Sequence, residues 1–375
     1  MNMTGRAMTI WGRKTHMKHL RSLLALLFAL ALISAACSNS NDDDDSAADD
    51  DSTEETAATD DGDDGGDDAA DDEGDSGGDD EAVDLTQGSD LTFHMITHSD
   101  DGPFWSVVKR GADDAAAAVG VTLVWNPSVN TPEKQVSDIE AAIAAGSDGI
   151  AASLASPDAV TPALEQAVAA GIPVYTLNSG VNQYKDIGAV THVGQTEFVA
   201  GQGAGERFNA LGATHVLCAF QEQSNIGLEE RCGGLEDTFN GTVTINFGGL
   251  DADQTEQQNT VSALLAADDS IDAILGTGPV IAVSALRATS DLGKDLFIGG
   301  FDITPEITDA IEAGDIDFTV DQQQYLQGYL PVILMFLQAT NQNTAGGGLP
   351  VLTGPGFVTP DNAAEVKALV AAGTR

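Results

Sequence analysis

Positive charge is scarce in this chain. Its 375 residues carry 15 Lys and Arg against 59 Asp and Glu, a formal net charge of −44. Phosphate contacts need clustered cations, so nucleic acid is excluded as a partner. Cysteine is scarce as well, at three residues, and none of the spacings that hold zinc surrounds them. His94 and His98 are four apart, but on a strand and its exit instead of one helix face, so no metal is expected. Nucleophile elbows, metal-ligand motifs and carboxylate pairs in a recognisable context are missing too, which argues against an enzyme. The apolar run over residues 23–36 is only 14 residues long. A bilayer core of about 30 Å needs roughly 20, so this run is not read as a membrane span.

What the first 90 residues do contain is an export signal and a tether. Arg13, Lys14, Lys18 and Arg21 precede the apolar run, which ends at Cys37. A basic start, a short apolar core and small residues before a cysteine make a signal peptide over residues 1–37. "LISAAC" resembles a bacterial lipobox, which implies lipidation of Cys37, although Ser34 stands where an aliphatic residue is more usual. Met17 offers a second start with the same features downstream. Residues 38–90 hold no Lys or Arg and are nearly all Asp, Glu, Gly, Ser, Ala and Thr. Such a segment cannot bury enough apolar surface to offset its ordering entropy, so it reads as a disordered acidic tether. About 50 flexible residues reach roughly 40 Å, enough to hold a domain off a membrane. Cys218 and Cys232 are close in sequence, and in an exported protein they read as a disulfide, with two buried thiols as the alternative.

From residue 91 onward short apolar runs alternate with helical patterns. "LTFHMI", "VTLVWN", "DGIAAS" and "IPVYTL" read as strands, with helices predicted over 104–119, 131–145 and 157–170 between them. Thr131 and Pro132 suit an N-cap and a first helical turn. The rhythm restarts after Gly194 with a helix over 197–211 and the strand "HVLCAF". Helices over 229–239, 253–267 and 280–290 then alternate with "TVTINF", "DAILG" and "LFIGGF", and a long helix over 323–339 precedes "LPVLTGPGFV". Alternation of this kind means parallel sheets covered on both faces, and two such units mean two α/β lobes.

Ligands of open parallel sheets bind beyond the carboxyl ends of the strands. The loops at those ends are "THSDDGPFW", "NSG", "QEQSNIGLEER", "GTGP" and "FDITP". They resemble the ribose- and galactose-binding family of periplasmic proteins, over residues 91–340. "GPFWSVVKRGADDAAAAVGV" is similar to that family's opening, and "DGIAASLASPDAVTPALEQAVAAGIPVYTLNSG" to its run into a polar ligand pair. "EERCGGL" resembles its Arg-bearing helix start, and "IGGFDITPEITDAIEAGDIDFTVDQQ" its Asp-bearing strand and hinge return. The resemblance implies a type I fold with three hinge crossings near Gly194, Val320 and after Gly348. The lobes are then 91–194 plus 321–348 and 195–320 plus 349–375.

The same resemblance implies Phe104 and Trp105 as stacking groups for a sugar ring, Asn178 as a hydroxyl partner, and Arg231, Asp302 and Gln322 as further polar contacts. Asp101, Ser179 and Asn225 lie in the same loops and join the candidate set. A ring with apolar C–H faces and a polar rim suits aromatic faces beside paired polar side chains. Plainer readings stand beside these. Phe104 and Trp105 could be core residues, although neighbours on a helix are not expected to face one core together. Arg231 could pair with Glu229 or Glu230, Asp302 could cap the helix near Pro305, and Asn178 could be a turn residue. Asn178–Ser179 and Gly278–Pro279 depart from the pairs of ribose binders, which points instead to a hexose, a polyol such as an inositol, or a furanosyl signal. The expected function is the receptor of an ABC importer, without cofactor, monomeric, lipid-anchored, and docking on a permease with ATPase subunits. The alternative is a sensory receptor for a chemoreceptor or kinase.

Overall fold

A computed structural model describes residues 90–100, 102–251 and 253–375. The leader, Cys37, the acidic stretch up to residue 89 and Asp101 lie outside the described residues. The first lobe runs β1 (Thr92–Thr97), α1 (Gly102–Val119), β2 (Thr122–Pro127), α2 (Pro132–Ala144), β3 (Gly149–Ser153), α3 (Pro157–Ala169), β4 (Val174–Leu177), a single turn α4 (Tyr184–Ile187) and β5 (Thr191–Gln195). The second runs α5 (Glu197–Leu211), β6 (His215–Phe220), α6 (Ile226–Thr238), β7 (Thr242–Phe247), α7 (Gln254–Ala267), β8 (Ala273–Gly276), α8 (Pro279–Leu292), β9 (Phe297–Phe301), α9 (Pro305–Ala313) and β10 (Phe318–Asp321). The chain then returns to the first lobe as α10 (Gln324–Asn341) and β11 (Val351–Gly354), and ends in the second as β12 (Gly356–Val358) and α11 (Ala363–Ala371).

The two six-stranded sheets have matching orders, β11-β5-β4-β3-β1-β2 and β12-β10-β9-β8-β6-β7. All pairings are parallel except β10 with β12. The molecule is therefore a two-lobed α/β protein of the type I architecture, with each strand of one sheet matched by its counterpart in the other. Apolar side chains leave both faces of each sheet. Phe93, Met95 and Ala151 pack under α1 and α10, while Ile96, Ile150 and Ala152 pack under α2 and α3. Burial on both faces is why the strands read as continuous apolar runs instead of alternating ones.

The last crossing falls later in the chain than the hinge pattern implied. β11 pairs with β5 in the first sheet, so the chain changes lobes between Gly354 and Gly356 and not after Gly348. Asp321 ends β10 in the second sheet, which sets the middle crossing at Gln322 and Gln323. Helix α6 begins at Ile226, three residues before the predicted start, because Asn225 caps it by accepting from the Gly227 N–H at 3.0 Å. Cys218 of β6 and Cys232 of α6 form a disulfide with Cα atoms 5.9 Å apart. It ties α6 to the strand whose exit loop carries Gln221 and Glu222.

Candidate functional site

Between the carboxyl ends of the two sheets lies a cavity of about 260 Å³. Each lobe delivers one residue to it in the same unusual way. Asn178 follows β4 with φ +61°, and Asp302 follows the matching strand β9 with φ +69°. Both backbone N–H groups still donate to the next strand, to the Val193 and Val320 carbonyls at 3.1 and 2.7 Å. The left-handed turn after the last sheet bond swings each side chain into the cleft. Asn and Asp tolerate that conformation better than other non-glycine residues.

Gln322, at the middle crossing, joins the two. Its amide donates to Asp302 Oδ1 at 2.6 Å, and its carbonyl accepts from Gln327 at 2.8 Å and from Asn178 at 3.5 Å. Burial pushes the Asp302 carboxyl up to about 7, against the pull of Arg231 and the Gln322 hydrogen bond. Thr304, and not Asp302, caps α9, accepting from the Ile307 N–H at 3.1 Å.

Arg231 is 4% exposed. Its partner is neither neighbouring glutamate but Glu197, the first residue of α5, which is 1% exposed. The guanidinium grips that carboxylate from Nε at 2.6 Å and Nη2 at 3.1 Å. Nη1 donates to the Thr277 carbonyl at 2.6 Å, and the Phe301 ring lies 4.4 Å below the guanidinium carbon. Three of the five N–H donors are thus committed, and Arg231 itself borders the cavity. Gly201 sets this geometry: α5 lies so close on α6 that a methyl there would overlap the Arg231 carbonyl oxygen. Glu197 went unnoticed in the sequence because an acid in a first helical turn is ordinary.

Phe104 and Trp105 both border the cavity and both belong to the first lobe's core, at 8% and 5% exposed. The expectation that only one could face that core fails because the first turn of α1 stands at the core's edge. The rings meet edge to face, with centroids 5.0 Å apart and planes at 89°. They form a corner, so they cannot lie parallel to each other on opposite faces of one ring. Leu228 and Pro279 border the cavity from the second lobe. Pro279 starts α8, and at Gly278 a side chain would strike Gln221.

Ser179 is not on the cavity wall. Its hydroxyl lies 3.1 Å from both Asn178 Oδ1 and Asn225 Oδ1, sharing its one proton between them, and so braces both. Asn225 is on the wall, but its side chain is occupied by the protein. Beyond its cap it donates to Glu222 at 2.7 Å and meets His98 Nε2 at 3.3 Å. His98, read only as a non-ligand of metals, crosses the cleft to Glu222 Oε2 at 3.4 Å while Ser153 holds its Nδ1 at 2.7 Å. Burial opposes ionisation of Glu222, but His98, Asn225 and Arg231 outweigh it and hold the carboxyl below its usual range. Among the described residues no cluster of His, Cys, Asp and Glu could hold a metal.

A sequence profile described as the periplasmic binding protein domain matches residues 93–343. This chain belongs to the periplasmic binding protein family. Within it, the xylose/arabinose-binding protein XylF of Sulfolobus acidocaldarius is 27% identical over 286 residues, covering 72% of this chain and 71% of the relative. The ribose import binding protein RbsB of Haemophilus influenzae is 28% identical, covering 67% and 87%. The crystal structure of a carbohydrate transporter from Acidothermus cellulolyticus 11B in complex with myo-inositol is 42% identical, with a TM-score of 0.74, and covers 76% of this chain and 99% of that one.

Proposed function

We propose that this periplasmic binding protein is the extracytoplasmic receptor of an ABC importer and carries a small, neutral, ring-shaped polyol, with myo-inositol the first candidate. The observation that carries the reading is the convergence of Phe104, Trp105 and Asn178 from one lobe, Arg231 and Asp302 from the other, and Gln322 from the hinge on one cavity. At about 260 Å³ the cavity falls just below the roughly 300–1,000 Å³ of sites for larger ligands, which suits a single ring. The corner of Phe104 and Trp105 takes an apolar ring face, while Arg231 and Asp302 pair with hydroxyls on the rim.

A ligand touching both lobes and the hinge stabilises the closed form by its differential affinity for that form. The closed receptor then docks on a permease driven by ATPase subunits, and Cys37 with its acidic tether anchors it to the membrane. The kinship with the myo-inositol complex supports a polyol over the pentoses named for XylF and RbsB. Titration calorimetry of the purified protein with myo-inositol, hexoses, ribose and xylose tests the reading. A polyol or hexose binding at micromolar or lower Kd with one-to-one stoichiometry is expected. Silence across that panel defeats it.

A further inference from the structure

Behind His98 the cleft continues into an outer compartment of about 160 Å³. Thr131 and Pro132 at the start of α2, Ala155 and Ser156 after β3, and Gln223 and Ser224 of the second lobe line it. Beside it two hydrogen bonds join the lobes, the Ile226 N–H donating to the Ala155 carbonyl at 3.0 Å and Ser156 Oγ to the Ser224 carbonyl at 3.1 Å. His98, Asn130, Glu222, Asn225 and Leu250 border both compartments. The first, third and fourth of these form the hydrogen-bonded partition described above. Asn130 and Leu250 are exposed and form the lip over which one compartment meets the other.

Two features mark that lip. Leu250 is 53% exposed at the junction, an apolar side chain left to solvent where the two compartments meet. Val129, a β-branched residue, is held at φ +48° directly before Asn130, whose N–H donates to the His98 carbonyl at 2.6 Å. A β-branched residue in that conformation is a true outlier, and strain of this kind gathers at ligand clamps. The outer lining mixes hydroxyls and amides with the apolar faces of Pro132 and Ala155, the same chemistry that suits a polyol in the inner cavity.

Resting on the reading of the inner cavity as a ring site, we propose that the outer compartment is a second subsite, taking the O-linked substituent of a ring bound within. The ligand class is then the ether or glycoside of a cyclic polyol or monosaccharide, with the linking oxygen passing over Leu250. The substituent covers the exposed leucine and reaches the hydroxyls of Thr131, Ser156 and Ser224.

Calorimetry on the full chain with myo-inositol, its methyl ether, a galactosyl-inositol, and glucose and galactose with their methyl glycosides tests this. At least one substituted ring is expected to bind within tenfold of its parent or tighter. Thr131→Trp and Gln223→Trp fill the outer compartment without touching the inner one. Each is expected to weaken the substituted ring more than tenfold while the parent changes less than twofold, with unaltered melting as the check on folding. Parents that bind while every substituted ring is more than 100-fold weaker overturn the subsite. So do variants that weaken both ligands alike, or neither. If no parent or substituted ring binds, the ring site itself fails and the subsite falls with it.

Discussion

The two lobes share one topology and divide the chemistry between them. The first brings Phe104, Trp105, His98 and the amide Asn178; the second brings Arg231, Glu222 and Asp302. Even the matched left-handed turns obey this division, with an amide after β4 and a carboxyl after β9. On the proposed reading, a ring rests on the first lobe through its C–H face and gains little selectivity there. On that reading its hydroxyls would be sorted when the second lobe closes over it, since buried donors and acceptors left unpaired are costly. The proposed function would thus tie recognition to closure, and the quickest way to break that tie is to remove charge from the second lobe.

The largest effect is expected at Arg231. Arg231→Met leaves Glu197 buried without its partner, and breaking a buried pair in this way costs about 3–5 kcal/mol. Thermal melting should fall accordingly, and ligand affinity should drop at least a hundredfold, about 2.7 kcal/mol. The double variant Arg231→Met with Glu197→Leu separates the two losses. It should recover stability, because the orphaned charge is gone, but not binding. Recovery of both would show that the pair is structural and that the charge asymmetry between lobes does not select the ligand.

The disulfide sharpens the comparison at the next level, because among the described residues only the second lobe is stapled. Cys218 and Cys232 are 14 apart, and a loop of that size contributes about 3 kcal/mol. Cys218→Ala with Cys232→Ala should lower melting by that margin while loosening α6, which carries Arg231. Affinity should weaken severalfold even at temperatures where the variant is fully folded. A variant that melts earlier yet binds as the parent does would show that contact with α5 at Gly201 suffices to hold α6.

How much of this was legible in the sequence follows from the physics of each part. The strands were readable because burial on both faces makes them short apolar runs, and the helix starts because proline marks them at Pro132, Pro157 and Pro305. The loops at the strand ends were readable by position, and six of the nine proposed ligand residues, Phe104, Trp105, Asn178, Arg231, Asp302 and Gln322, converge on the cavity. Asn225 is also on the wall, but as a cap and partition, and Ser179 lies behind it as a brace. What stayed hidden was pairing at a distance. Glu197 and Arg231 are 34 residues apart and His98 and Glu222 more than a hundred, with no local pattern to announce either. The third crossing was misplaced for a related reason. A four-residue strand such as β11 shows its sheet only through its partner β5.

The smallest expected effect is the most diagnostic, because it concerns a pair of matched positions, both at left-handed turns, where the lobes differ by a single ionisable group. Asp302 has its carboxyl raised by burial from 3.8 to about 7. A raised carboxyl favours folding while protonated, so its contribution to stability is whole below pH 3.8 and is lost as pH rises through about 7. Ligand binding should run the opposite way. Hydroxyls that donate to the carboxylate favour its ionised form, so affinity should rise about threefold to tenfold from pH 6 to 8 and then level off. Ligand-induced stabilisation should grow over the same window in which the free protein loses stability. Asp302→Asn, which makes the second lobe's turn match Asn178 of the first, should flatten both slopes. An affinity that instead rises in acid would mean that the carboxyl donates to the ligand in its protonated form, and the two lobes would then present their turns as hydrogen-bond donors alike.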